Sequence, residues 1–130
     1  MSEDAINILV YSDDAATRQQ VIEGVGLRPA KDLPTVKWHE AATPWGAVDG
    51  LKQHSPALLI LDGETQKSGG MSVAREIRDR FDDVPPIVIL TARPQDAWLA
   101  EWAGAAEVVT APLDPLDLQQ RVSTALRSAR

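Results

Sequence analysis

Cysteine is absent from this chain of 130 residues. That excludes disulfides and thiolate-held metals and suits a reducing, cytoplasmic setting. Long apolar runs are missing too, so direct insertion into a membrane is not expected. The acidic start, Met1-Ser2-Glu3-Asp4, lacks the positive flank and apolar core of a signal peptide. Positive charge is scarce: 13 Lys and Arg stand against 19 Asp and Glu, for a net charge of −6. No basic stripe or arginine-rich tail stands out, so nucleic acid, which is bound mainly through cations on phosphates, is not an expected partner. Low-complexity segments and internal repeats are lacking. What remains is a globular balance, 44% hydrophobic and 25% charged, in a length that fits a single domain over 1–130 with its own core.

Five short apolar runs recur along the chain: Ile6 to Tyr11, the weaker Thr35 to His39, Leu58 to Leu61, Ile87 to Leu90 and Val108 to Thr110. Their lack of alternation predicts strands covered on both faces, as in a parallel sheet. Helix signals fall between them. Asp14 or Ala15 opens a helix ending near Gly24, and Gly26 to Pro34 reads as a loop. Thr43-Pro44 pairs a capping hydroxyl with a proline at the first helical position, for a helix to about Lys52. Gly70-Met71 precedes a helix over Ser72 to Phe81, with Val73, Ala74, Ile77 and Phe81 on one face. Arg93-Pro94 opens a helix stopping near Gly104, and Asp114-Pro115 another over Leu116 to Arg127. The repeated βα pattern predicts an α/β fold, a doubly wound (βα)5 sheet of five parallel strands.

Ligands of such sheets sit outside the carboxyl ends of the strands. Those ends hold Ser12-Asp13-Asp14, Asp62, Thr91-Ala92 and Thr110-Ala111-Pro112. Converging carboxylates repel one another unless a cation joins them, and a hard ion such as Mg²⁺ prefers oxygen ligands. An Asp there can also act as a nucleophile toward a phosphoryl group, with the Thr91 hydroxyl hydrogen-bonding the new phosphoryl oxygens. A plainer reading stands beside this one: Asp13 and Asp14 also suit a helix cap and its first turn.

Along nearly its whole length the chain resembles the receiver domains of two-component signalling. The matching segments are 6–14, ending in Ser12-Asp13-Asp14, then Leu58-Leu59-Ile60-Leu61-Asp62, Gly70-Met71, Pro86 to Ala92 and Ala111-Pro112. The resemblance implies a flavodoxin-like receiver fold, Asp62 as phosphoacceptor and Thr91 as switch hydroxyl. It also implies Mg²⁺ held by Asp13, Asp14, Asp62 and the Glu64 backbone carbonyl. Departures from the family pattern are equally specific. Ala111 stands where receivers carry a Lys, which removes a cation from an anionic site. Val108 occupies the aromatic switch position. The proline often found after the phosphoacceptor is missing, with Gln66 or a neighbour in its place. Lys67 in that loop is a candidate substitute charge.

Outside the acidic cluster, His39 and His54 show no metal-ligand spacing and read as surface or edge residues. No histidine falls in the pocket to act as a base, which argues against a hydrolase. The four Trp stand out beside one Tyr and one Phe. Trp98 and Trp102 share one helix face, while Ala97, Leu99, Ala100 and Ala103 supply that helix with a core side. This leaves the Trp pair exposed, as a candidate partner-binding surface. The expected function is that of an atypical, stand-alone receiver without an output domain. It is not an enzyme, and acts by protein–protein binding as a regulatory or accessory subunit of a larger complex. The alternative is a competent phosphoreceiver taking its phosphoryl group from a histidine kinase.

Overall fold

In a computed structural model that describes residues 5–64 and 70–128, the five apolar runs become five parallel strands in one sheet, ordered β2-β1-β3-β4-β5. The strands are β1 (Ile6–Tyr11), β2 (Val36–Ala41), β3 (Leu58–Asp62), β4 (Ile87–Thr91) and β5 (Glu107–Thr110). The helices are α1 (Ala15–Val25), α2 (Pro44–His54), α3 (Gly70–Arg80), α4 (Ala97–Trp102) and α5 (Pro115–Ser128). The acidic N-terminus and the loop positions Gln66 and Lys67 lie outside the described residues.

Every residue of β3 and β4 is buried, as continuous apolar runs require when helices cover both faces. On one face Ile8, Val10, Ile60, Val88 and Val109 pack with Val21 and Val25 of α1 and Leu118, Val122 and Leu126 of α5. On the other, Leu9, Leu59, Leu61, Ile87 and Ile89 pack with Val48 and Leu51 of α2, Val73 and Ile77 of α3 and Ala100 of α4. Truncating a central member such as Ile60 would cost about 2–5 kcal/mol, the usual penalty for a large aliphatic cut to Ala in a core.

The helix signals act as their chemistry suggests. Thr43 accepts the Gly46 N–H at 2.9 Å, with Pro44 at the first position of α2. Asp114 accepts the Asp117 N–H at 3.1 Å at the start of α5. Several boundaries shift: α3 spans Gly70–Arg80, not Ser72 to Phe81, and α2 reaches His54. α1 runs past Gly24, because the residue that leaves helical geometry is Gly26, whose N–H closes on the Ile22 carbonyl. β2 starts one residue late and extends to Ala41, pairing along all of β1. The helix expected after Arg93 is divided: a 3-10 turn over Pro94–Asp96 leads into an α4 of only six residues.

Candidate functional site

The register of the sheet brings Ser12, Asp62, Thr91 and Thr110 to one rim. Asp62 is buried, at 8% exposure, and a buried carboxylate requires donors. It has two. The Ser12 hydroxyl donates to Oδ2 at 2.8 Å and the Glu64 N–H donates to Oδ1 at 2.9 Å. Ser12 is itself fully buried and accepts the Asp14 N–H at 3.1 Å. Behind Asp62, the Gly63 N–H donates to the Leu90 carbonyl at 2.8 Å. A Cβ on Gly63 would stand 2.8 Å from that same oxygen. Glycine therefore permits the approach that fixes Asp62 against β4.

The two adjacent acids divide. Asp14 caps α1, accepting the Ala16 N–H and the Thr17 hydroxyl, each at 3.0 Å. Asp13 is exposed at the mouth, where Asp13, Asp14, Thr17, Asp62 and Glu64 line a concavity of about 500 Å³. A neighbouring concavity of about 340 Å³ joins Asp62 and Glu64 to Thr91, Ala92 and Ala111. Thr91 is buried, its hydroxyl 3.2 Å from that of Thr110. The Glu64 carboxylate reaches across to accept the Ala92 N–H at 3.3 Å. Among the described residues, no Lys or Arg lines either concavity. The nearby Arg18 donates to the Ser12 carbonyl at 2.6 Å and pairs with Glu40 at 2.9 Å. Its charge is thus turned onto the backbone and onto β2.

The oxygens around the mouth are hard donors of the kind Mg²⁺ prefers, and Asp13, Asp14, Asp62 and Glu64 line the one concavity. The Asp14 carboxylate is engaged in the helix cap and a hydroxyl, not an acid, touches Asp62. Among the described residues, no three His, Asp or Glu side chains are grouped closely enough to hold a metal.

Ser12 and Thr110, which the strand ends place at the rim without a role, and the Glu64 side chain are also parts of the site. For Ser12 the only sequence signal was its place directly before the acid pair. Val108 is partly buried and packs against the core on the α2–α3 side. Trp98 and Trp102 are exposed at 65% and 66%, whereas Trp38 is partly buried, its indole donating to the Gly26 carbonyl at 3.0 Å. The two histidines, far apart in sequence, meet at the edge of the sheet with ring centroids 3.7 Å apart. No described helix is long and apolar enough to cross a membrane.

No family model matches the chain. It is 40% identical over 127 residues to an uncharacterized response regulatory protein of Mycobacterium tuberculosis, covering 98% of this chain and 96% of that protein. It is 32% identical over 133 residues to the transcriptional regulatory protein BaeR of Escherichia coli, covering 100% of this chain and 52% of that protein. Among solved structures, the receiver domain of NtrX from Brucella abortus superposes with a TM-score of 0.75 at 19% identity, over 93% of this chain and 98% of that one. A two-component response regulator of the LuxR family from Aurantimonas superposes with a TM-score of 0.79 at 24% identity, over 96% and 87%.

Proposed function

The chain belongs to the response-regulator receiver family, and from that premise we propose that it is an atypical receiver whose output is protein–protein binding, with phosphorylation weak or dispensable. One observation carries this reading. Both oxygens of Asp62 are already hydrogen-bonded within the protein, and no cation among the described residues lines the pocket that a phosphoryl group would enter. Transfer to Asp62 would bring further negative charge beside Glu64, with no Lys or Arg among the described lining residues to neutralise it. A receiver in that condition serves by docking, as a regulatory or accessory subunit of a larger complex. The exposed Trp98 and Trp102 are its partner face, since exposed Trp is enriched among interface anchors.

The test is incubation with acetyl phosphate and Mg²⁺, read by intact mass, on wild type and Asp62→Asn. The reading expects no appreciable adduct under conditions that modify an ordinary receiver. A stoichiometric adduct on wild type, lost in the variant, would overturn it.

That opposite outcome belongs to a second reading, a competent phosphoreceiver fed by a histidine kinase. It is favoured by the placement of Asp62 and Thr91 on one open concavity. An Asp62 oxygen would attack the phosphorus, the kinase histidine would leave, and the Thr91 hydroxyl would donate to a new phosphoryl oxygen. Asp13, Asp62 and the Glu64 carbonyl would be the groups offered to Mg²⁺.

A further inference from the structure

Most arginines of this protein are closed by carboxylates. Arg18 pairs with Glu40, Arg80 with Glu76, Arg93 with Asp96, Arg121 with Glu107 and Asp117, and Arg127 with Asp32. Arg75 and Arg78 of α3 are different: among the described residues neither pairs with a carboxylate. Packing holds them instead. The Arg75 guanidinium carbon lies 3.9 Å from the centroid of the Trp102 ring, a cation–π contact that orients the group without using its N–H donors. Arg78 runs over Gly104, where a Cβ would come within 2.7 Å of its Cδ and Nε. Gly104 also has φ +101°, a backbone conformation that favours glycine, and its missing side chain leaves the room that the Arg78 guanidinium end occupies. A hollow of about 170 Å³ lies between these groups, lined by Arg75, Arg78, Asp79, Trp102 and Ala103. Trp98 extends the exposed aromatic surface one turn along α4.

We infer that this seam between α3 and α4 docks an acidic segment of a protein partner, carboxylates on the two arginines and an apolar or aromatic side chain against Trp98 and Trp102. The inference rests on the docking reading above and adds the chemistry of what is docked. Charge complementarity selects the occupant: two guanidiniums against Asp79 leave the hollow positive on a chain of net charge −6. Guanidinium donors held in place by packing are ready to take carboxylates in the forked geometry that suits them. Ordering costs at the interface are correspondingly reduced.

The experiment selects displayed random 12-residue peptides on the immobilised full chain and measures selected peptides by fluorescence anisotropy at low and physiological salt. The expected binders contain Asp or Glu flanking an aromatic or Leu residue, and they weaken as salt rises. The double variant Arg75→Gln/Arg78→Gln is expected to lose about tenfold or more in affinity, the scale of a removed charged hydrogen bond. Trp98→Ala/Trp102→Ala is expected to lose at least as much. Circular dichroism checks that both remain folded. If the tryptophan variant abolishes binding and the arginine variant leaves it unchanged, the docking surface stands and the acidic partner falls. If binding survives both variants, the docking reading falls as well. Selection of neutral or basic peptides, or of none, overturns the inference, as does binding to phosphatidylserine vesicles in place of peptides.

Discussion

The two halves of the sheet treat their carboxyl ends differently. On the β1–β3 half, polar groups are tied together: Asp14 caps α1, its N–H reaches Ser12, and Ser12 reaches Asp62. On the β4–β5 half, the rim offers a pair of threonine hydroxyls and then Ala111 and Pro112, with no charge. Both halves have the same apolar strands and the same double layer of helices. A receiver scaffold can thus hold a carboxylate well on one half of its rim while the described residues of the other half bring hydroxyls and no cation. The apolar strands that set the fold and the rim residues that would set the chemistry are separable.

The comparison is broken most forcefully by supplying what the β4–β5 half lacks. Ala111→Lys places an ammonium at the rim of the pocket shared by Asp62 and Thr91. Stabilising charge that develops in transfer is worth about 100–1,000-fold per well-placed group. Adduct formation from acetyl phosphate should rise by about that factor, with Asp62→Asn/Ala111→Lys showing none. An unchanged rate in Ala111→Lys would place the deficit in the β1–β3 half instead.

The β1–β3 half is probed next. Ser12→Ala removes one of the two hydrogen bonds to a buried carboxylate, a loss of about 1.5–3 kcal/mol in unfolding free energy, read by urea denaturation at neutral pH. Much of that cost should vanish in an Asp62→Asn background; if it does not, Ser12 acts through packing alone. Ser12→Asp sets a second carboxylate beside Asp62, so stability should drop without metal and recover on adding Mg²⁺. A smaller effect is expected for Asp14→Ala, about 1 kcal/mol, as for other lost helix caps. It should leave any Mg²⁺ response intact, and a lost response would return Asp14 to the metal site.

The fold was legible because period and punctuation agreed. Ile87 to Leu90 has no alternation, and Thr43-Pro44 and Asp114-Pro115 mark helix starts through bonds that depend on nearby backbone only. The site was half legible. Asp62 and Thr91 were placed by strand ends, yet which acid of Asp13 and Asp14 would also cap the helix depends on where the strand yields to it. The bond from Ser12 to Asp62 was not legible, because a hydroxyl beside a carboxylate has no spacing signature. The splitting of the helix after Arg93 was equally invisible, since Pro94 suits either kind of first turn.

The smallest effect expected concerns the outer edge of the β1–β3 half, where β2 meets the end of α2. His39 Nε2 lies 3.0 Å from Asn7 Oδ1, while the Asn7 amide nitrogen donates to the His54 carbonyl at 2.8 Å. The two imidazoles stack at 3.7 Å with an 18° tilt. Burial, the His54 ring and Lys37, in that order, lower the His39 pKa below its ordinary 6.5. The unfolded chain therefore holds this proton more tightly than the folded one does. The stability that the pair contributes is complete above pH 6.5 and is lost as pH falls through the lower folded value. The bonds from Asn7 tie β1 to both histidines, so the loss should fall on the β2–α2 edge before the centre of the sheet. Hydrogen exchange at pH 7.5 and 5.0 would compare β2 amides with those of β3. Selective loss of protection in β2 at the lower pH, absent in His39→Gln, is the expected result. Equal protection at both values would mean that the stacked pair tolerates its proton, and that this edge is held by strand pairing alone.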